Sequence, residues 1–407
     1  MKKLFSMVVM FLLVFMLSAC TEETEDPQVN TPIDDVNQME VRIQIGEESF
    51  THSLPEDYEG TLFDLMNENY EMTYSESEFG MLLISLEELH PKNGSYIAIG
   101  KNDEMAISGI GQLTVEDGDS FSFEIIWYDT VLQNIDEAIT LFLDNHVAQY
   151  VNEGYIDVNV LSALYLLGLS EEYTSVLDVP DMDMFDPNML ETTADYFKAI
   201  VILNSLGYDV NDLLTDYIEQ ATVGFYGETA YGLLLLQMVE GTDVSTLVDT
   251  FETDLIVNTP FLLGLDAGGI SLVALADTSI EEKQDLIDEF AEWIKTDQLD
   301  TGGIKTRDMT WGETVYPGTE NAASIAQVII GLLSNGVDPA GTDLTVEEMN
   351  LITRLLDFLT DDGAFDYVLD DELDVDLMFS TPQAFLAIVM YQEYKALGTS
   401  VHPYHID

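Results

Sequence analysis

Cysteine is nearly missing from this chain: Cys20 is the only one in 407 residues. No disulfide can form within the chain, and no zinc site of paired cysteines can be built. Basic side chains are scarce too, 12 lysines and arginines against 77 acids. Binding to nucleic acid or to anionic lipid surfaces draws on clustered lysine and arginine, so both are excluded as partners. Histidine occurs five times, with His402 and His405 near the C-terminus and the others scattered. The one long apolar run, near the N-terminus, falls short of the roughly 20 residues that span a bilayer.

What is present at the N-terminus is a sorting signal. Lys2 and Lys3 form a positive n-region, Val8 to Met16 is unbroken apolar sequence, and Leu17-Ser18-Ala19-Cys20 follows. This order is that of a secretory signal peptide, residues 1–19. The four residues ending at Cys20 resemble the lipobox of bacterial lipoproteins. That resemblance implies cleavage before Cys20, acylation of its sulfur, and an exported chain held to the membrane by its lipid, facing the cell exterior. An ordinary cleaved signal with a chance cysteine is the alternative. A lipidated Cys20 leaves no free thiol, and a chain of this length buries enough apolar surface to fold without disulfides.

Removal of residues 1–19 leaves 10 basic against 77 acidic residues, a net charge of −67. Yet 47% of the residues are hydrophobic, so the acids coat an apolar core and do not form a disordered tail. They are spread along the whole chain, as on a surface adapted to a salty milieu where counterions screen repulsion. Binding of a cationic ligand or a divalent cation is the other reading.

Residues 20–37 are polar and acidic with two prolines and read as a flexible tether. Residues 38–128 read as a small, β-rich α+β domain. Met39 to Ile45 alternates as a strand, and Tyr70–Tyr74, Ser95–Ile99 and Phe121–Trp127 have strand composition. Thr61 is placed to cap a helix from Leu62 to Glu68, with Asp64 three residues on. Glu116-Asp117-Gly118-Asp119 reads as a hairpin-type turn.

Residues 130–398 alternate two kinds of helix. Val158–Leu169, Thr193–Leu206, Glu228–Val239, Pro260–Ala276, Asn321–Ser334 and Thr381–Tyr394 are apolar almost all round. Val131–Val151, Val210–Gln220, Val244–Leu255, Ile280–Lys295 and Val346–Thr360 are amphipathic with acidic faces, and Glu171–Leu177 is a short member of that set. Helices apolar all round are buried, and amphipathic ones cover them. Strict alternation predicts an all-α domain of concentric rings, an α/α toroid of six outer and six inner helices. Residues 399–407 are left as a tail.

A weak repeat fits this. Asp300-Thr301-Gly302-Gly303-Ile304 precedes a helix containing Ala326-Gln327, and Asp362-Gly363-Ala364-Phe365 precedes one containing Gln383-Ala384. Glycine allows the tight turn, and the apolar residue after it plugs the ring. These loops, with Ser380-Thr381-Pro382-Gln383-Ala384, resemble the prenyltransferase/terpenoid-cyclase toroid, including its transcobalamin and intrinsic-factor branch. The N-terminal domain looks like the small β-rich domain of the same branch, which in bacteria occurs as a domain of unknown function. The residues that carry this likeness are Thr61-Leu62-Phe63-Asp64-Leu65, Phe79-Gly80, Ser95-Tyr96, Gly109-Ile110 and Glu116-Asp117-Gly118-Asp119. The domain order is reversed relative to the animal carriers.

The resemblance implies capture of cobalamin or a related corrinoid between the two domains, with delivery to an uptake transporter and no required cofactor. A corrinoid is a broad disc with an apolar face and a rim of amides, suited to polar partners at its edge and apolar ones on its faces. The starts of the inner helices offer Thr192, Thr193, Thr229, Asn258, Asn321, Gln327, Thr381 and Gln383, and Trp311 and Tyr316 offer stacking surface. From the small domain, Leu82, Tyr96 and Ile97 are the closing residues. Where the carriers place aromatics, this chain has Leu82 and Ile97. Each of the polar residues can equally serve as a helix cap.

Catalysis has less to support it. A prenyltransferase needs a cysteine-containing zinc site, and a class II cyclase needs an Asp-x-Asp-Asp motif that Asp370-Asp371-Glu372-Leu373-Asp374-Val375-Asp376 does not supply. That stretch reads as a solvated acidic loop. Asp181-Met182-Asp183-Met184-Phe185-Asp186 lacks the glycine and spacing of a calcium-binding EF-hand loop. Carbohydrate-active enzymes with paired carboxylates also use α/α toroids, and that alternative stays open, as does a surface adhesion module without a small ligand.

Overall fold

The structure is a computed structural model, and it describes residues 38–77, 80–177, 185–186, 189–224, 227–258, 264–311, 314–369 and 375–404. The segments expected to be a sorting signal and a tether lie outside the described residues with Cys20, as do Phe79 and most of the two acidic loops. Contacts divide the chain into two units: Met1–Leu82 with Ile99–Phe123, and Leu83–Ala98 with Glu124–Asp407.

The β-rich part has strands β1 (Gln38–Ile45), β2 (Glu48–Pro55), β3 (Met72–Ser77), β4 (Gly80–Leu86), β5 (Ser95–Lys101), β6 (Glu104–Met105) and β7 (Ser120–Trp127), with one helix, α1 (Leu62–Asn69). The main sheet runs β2-β1-β7-β5-β6, and β3 pairs with β4 apart from it. Period-two alternation in β1 buries Met39, Val41, Ile43 and Ile45, each worth about 1.5–3 kcal/mol against exposure. Thr61 caps α1 as expected. Its hydroxyl accepts from the Asp64 N–H at 3.3 Å, and the Asp64 carboxylate accepts from the Thr61 N–H at 2.7 Å. The turn at 116–119 is present, with the Asp119 carboxylate accepting from the Glu116 N–H at 2.8 Å. It is not a hairpin, because it leads into β7, which pairs in parallel with β1. The strand expected from Tyr70 starts instead at Met72.

The rest is helical. Six buried helices are α3 (Val158–Leu166), α5 (Thr193–Ser205), α7 (Glu228–Gln237), α9 (Leu265–Leu275), α11 (Ala322–Ser334) and α13 (Ser380–Leu397). Each packs on the next, and α13 returns to α3, so among the described residues these six close a ring. The amphipathic helices α2 (Thr130–Asn145), α4 (Ser170–Thr174), α6 (Asn211–Gln220), α8 (Ser245–Asn258), α10 (Lys283–Asp297) and α12 (Leu351–Leu356) lie against them. In α6 the buried pair is Leu214 and Tyr217, and in α10 Leu286, Ile287, Phe290 and Ile294, the stripe that one apolar face predicts.

The repeated glycine loops do what their composition requires. Gly302 and Gly363 both have positive φ, +82° and +92°. A Cβ on Gly302 would lie 2.5 Å from the Asn350 nitrogen, and one on Gly363 would lie 2.6 Å from the Phe142 nitrogen. The plugging residues that follow, Ile304 and Phe365, are fully buried. The ring's seam is apolar, with Phe142 of α2 stacked on Phe385 of α13 at 3.8 Å between centroids.

A mouth lined by carboxylates and tyrosines

Neighbouring helix starts are tied to one another, which gathers the six N-termini at one end of the ring. Glu228, at the start of α7, accepts from the Thr193 N–H of α5 at 3.1 Å. The Ser324 hydroxyl of α11 lies near enough to the Asp266 carboxyl of α9 to favour its charged form. The Ala322 N–H donates to the Tyr367 carbonyl at 3.0 Å, which joins α11 to the segment before α13. The Tyr150 hydroxyl donates to the Leu377 carbonyl at 2.6 Å, which joins that segment to the approach to α3.

Most starts carry their own caps. Asp157 accepts from the Asn159 and Val160 N–H groups at 2.8 and 3.2 Å. Thr192 forms a capping box with Asp195, and Asn321 accepts from the Ser324 N–H at 2.8 Å. Asp376, expected to be solvated, takes the N–H groups of Met378, Phe379 and Ser380 at 3.0–3.1 Å. Burial alone would raise its pKa, but these bonds and the Ser380 hydroxyl hold it below the ordinary value.

Two acids of the mouth are held differently. Burial pushes up the pKa of Asp157, against bonds from Val160, Asn159 and the Tyr155 hydroxyl and the more distant charge of Lys198. Burial also raises Asp266, against the Ser324 hydroxyl. Asp266 nevertheless keeps an exposed surface. Tyr231, half-buried, behaves alike: burial first, then the charges of Asp266 and Glu228, push its hydroxyl up to about 12. Among the described residues neither Asp157 nor Asp266 makes a salt bridge within 4.0 Å.

The floor comes from the tail. Tyr404 is buried, with its ring edge-on to Phe197 at 4.9 Å and its hydroxyl donating to the Asn159 side chain at 3.4 Å. Phe197 in turn lies 4.8 Å from the Tyr231 ring. Tyr155 donates to Asp157 at 3.1 Å from the rim.

The residues singled out from the sequence fall into groups. Asn321 and Thr381 stand at the ring's starts and are buried. The Thr381 hydroxyl is occupied by the Phe365 N–H and the Asp376 carbonyl, at 2.9 and 2.8 Å. The buried Asn321 Nδ2 has no hydrogen-bond partner among the described residues. Gln383 is half-buried in the first turn of α13. Thr192 is an exposed cap, and Thr229 is buried and donates to Asp254 and to the Gly224 carbonyl. Gln327 is buried where α11 meets Gly269 of α9. Trp311 and Tyr316 lie in a short hairpin and Asn258 ends α8, but their side chains lie outside the described residues. Leu82 on β4 is exposed and Tyr96 on β5 partly so, whereas Ile97 is buried.

Asp157, Glu228, Asp266, Tyr155, Tyr231 and Tyr404 were not singled out. Asp266 had a signal: it is the only charge in the apolar stretch Pro260–Ala276. Asp157 had one too, standing directly before an apolar helix. Nothing in the tail's short sequence marks Tyr404. No group of three or more metal-ligating side chains comes together among the described residues.

No known protein family and no curated protein matches the chain by sequence. Among solved structures, a type II terpene cyclase from Scytonema is similar at 12% identity over 66% of this chain and 99% of its own, with a TM-score of 0.38. A polysaccharide lyase is similar at 13% identity over 65% and 95%, with a TM-score of 0.35. A candidate metal-binding protein from Ruminococcus gnavus ATCC 29149 covers 22% of this chain and 96% of its own, at 19% identity and a TM-score of 0.19. At such scores these likenesses carry no argument about function.

Proposed function

We propose that this chain is a lipid-anchored binding protein at the cell exterior that captures a corrinoid for uptake, and that its ring is an α/α toroid of six outer and six inner helices. The lipid anchor rests on Cys20 and the signal before it. The observation that carries the ligand reading is the mouth, where the exposed Asp266 stands with the half-buried Glu228 and Tyr231. Asp157 has hydroxyl and backbone partners, and among the described residues neither it nor Asp266 pairs with a cation within 4.0 Å. They are acceptors, and they call for a ligand that brings N–H donors. The rim amides of a corrinoid bring several, and its apolar face suits the exposed Leu377, Met378 and Phe379 before α13.

The same electrostatics weigh against a lyase acting on acidic polysaccharide. A uronate carboxylate would be repelled by Asp157, Glu228 and Asp266. The proposal uses the ring alone and assigns no role to Ile97, whose side chain is buried.

Native mass spectrometry of a soluble form starting at Thr21, exposed to a panel of corrinoids and haem, is the test. A one-to-one adduct with cobalamin or cobinamide and none with haem is the expected result. No adduct with any corrinoid sinks the ligand reading and leaves the adhesion module ahead. Release of unsaturated sugars from surface polysaccharide by the same preparation would replace it with an enzyme.

A further inference from the structure

The last described residues cross the ring from one end to the other. The Val401 N–H donates to the Leu333 carbonyl at 3.1 Å, at the C-terminal end of α11. His402 Nε2 lies 3.3 Å from the carboxylate of Asp277, two residues beyond α9. Tyr404 then reaches Phe197 of α5 and Asn159 in the first turn of α3. A helix such as α11 is about 20 Å long, so four residues and a tyrosine ring cover most of the distance through the bore. Val401, Pro403 and Tyr404 are all buried. The tail therefore touches two pairs of helices on different sides of the ring: α9 and α11 at one end, α3 and α5 at the other.

We propose that the bore is a socket for a short peptide, and that Thr399–Tyr404 fill it in cis as a strap that positions the starts of α3, α5 and α7. The socket has a chemistry for each residue. Val401 and Tyr404 bury apolar surface. Asp277 faces the imidazole of His402, and the Asn159 side chain accepts the phenol. Pro403 fixes its φ and lowers the entropy lost on seating. The His402 Nδ1 meets the Tyr404 backbone, 3.3 Å from its nitrogen and 3.0 Å from its carbonyl, so the strap also holds its own bend. This role does not depend on what the mouth binds.

The test is complementation. A chain ending at Gly398 is mixed with a synthetic peptide of residues 399–404, and hydrogen exchange is followed at the first turns of α3, α5 and α7. Truncation should speed exchange there by at least roughly tenfold, with β1 and β7 unchanged, because a large buried side chain has left and opening is local. The peptide should restore slow exchange, and a Tyr404→Ala peptide should not. Unchanged exchange at those turns, or equal rescue by both peptides, would overturn the strap. Should the truncated chain not fold, full-length Tyr404→Ala and Tyr404→Phe replace it. Phenylalanine keeps the contact with Phe197 and should stay within a few-fold of the parent. A uniform rise across both units in Tyr404→Ala, or no rise, would contradict the proposal.

Discussion

At the C-terminal end of the ring, the last carbonyls are taken by the chain itself. Asn335 donates to the Leu272 carbonyl at 2.8 Å, Gln237 to the Ala274 carbonyl at 3.1 Å, and Val401 to Leu333. At the N-terminal end the first N–H groups are capped too, but the caps bring charge. Asp157, Asp266 and Asp376 stand there, with hydroxyl and backbone partners and, among the described residues, no salt bridge. One end is closed by its own polypeptide, and the other holds carboxyls of which Asp266 is exposed and Asp376 partly so. Aligned helix dipoles explain how carboxylates persist without cations, since each helix start carries partial positive charge. Glu320 is the exception: it is gripped by Arg354 through two bonds of 2.7–2.8 Å.

The contrast can be broken from either side. Leu333→Ala removes a fully buried side chain at the closed end. It should cost about 2–5 kcal/mol in urea unfolding, and a loss within experimental error would mean that this end is not packed as described. Arg354→Met strands the half-enclosed Glu320 carboxylate, whose side chain is 13% exposed. The expected loss is about 3 kcal/mol, and adding Glu320→Gln should recover part of it. Thr192→Ala deletes an exposed cap and should cost about 1 kcal/mol, read as a small shift in urea midpoint.

The smallest effect has the opposite sign. Burial raises the Asp266 carboxyl above its ordinary value. A group so raised adds stability that is fully present below the unfolded pKa and is lost as pH rises through the folded one. Asp266→Asn should therefore stabilise the unliganded chain at neutral pH, and the gain should vanish in acid below pH 3.8. Melting curves at neutral pH and near pH 3 check this. Destabilisation at neutral pH would mean that the carboxylate is already satisfied.

Much of the ring was legible because its helices are apolar all round or striped, and burial follows from that pattern. The exception is instructive. Val346–Thr360 reads as one amphipathic helix, yet Thr345–Val346 and Met349–Asn350 form a hairpin and only Leu351–Leu356 is helical. Glu347 and Glu348 sit at positive φ in its turn, and Asn350 caps the helix that follows, so a tight turn with a cap overrode helix propensity. The helix starts were legible as positions but not as chemistry. Thr192, Thr229 and Thr381 spend their hydroxyls on caps and carbonyls, while the acceptors that face water are acids hidden among 77. Tyr404 was out of reach of any pattern, because its burial depends on where the whole ring closes.

Hydrogen exchange of the soluble chain with and without cobinamide bears most directly on the claim that one end of the ring is open to ligand and the other is closed. The account predicts slower exchange at the first turns of α3, α7, α9 and α11 when the corrinoid is bound, with no change at Leu272–Leu275 or Leu332–Ser334. A bound corrinoid that protects those C-terminal turns, or that leaves the mouth unprotected, would contradict it.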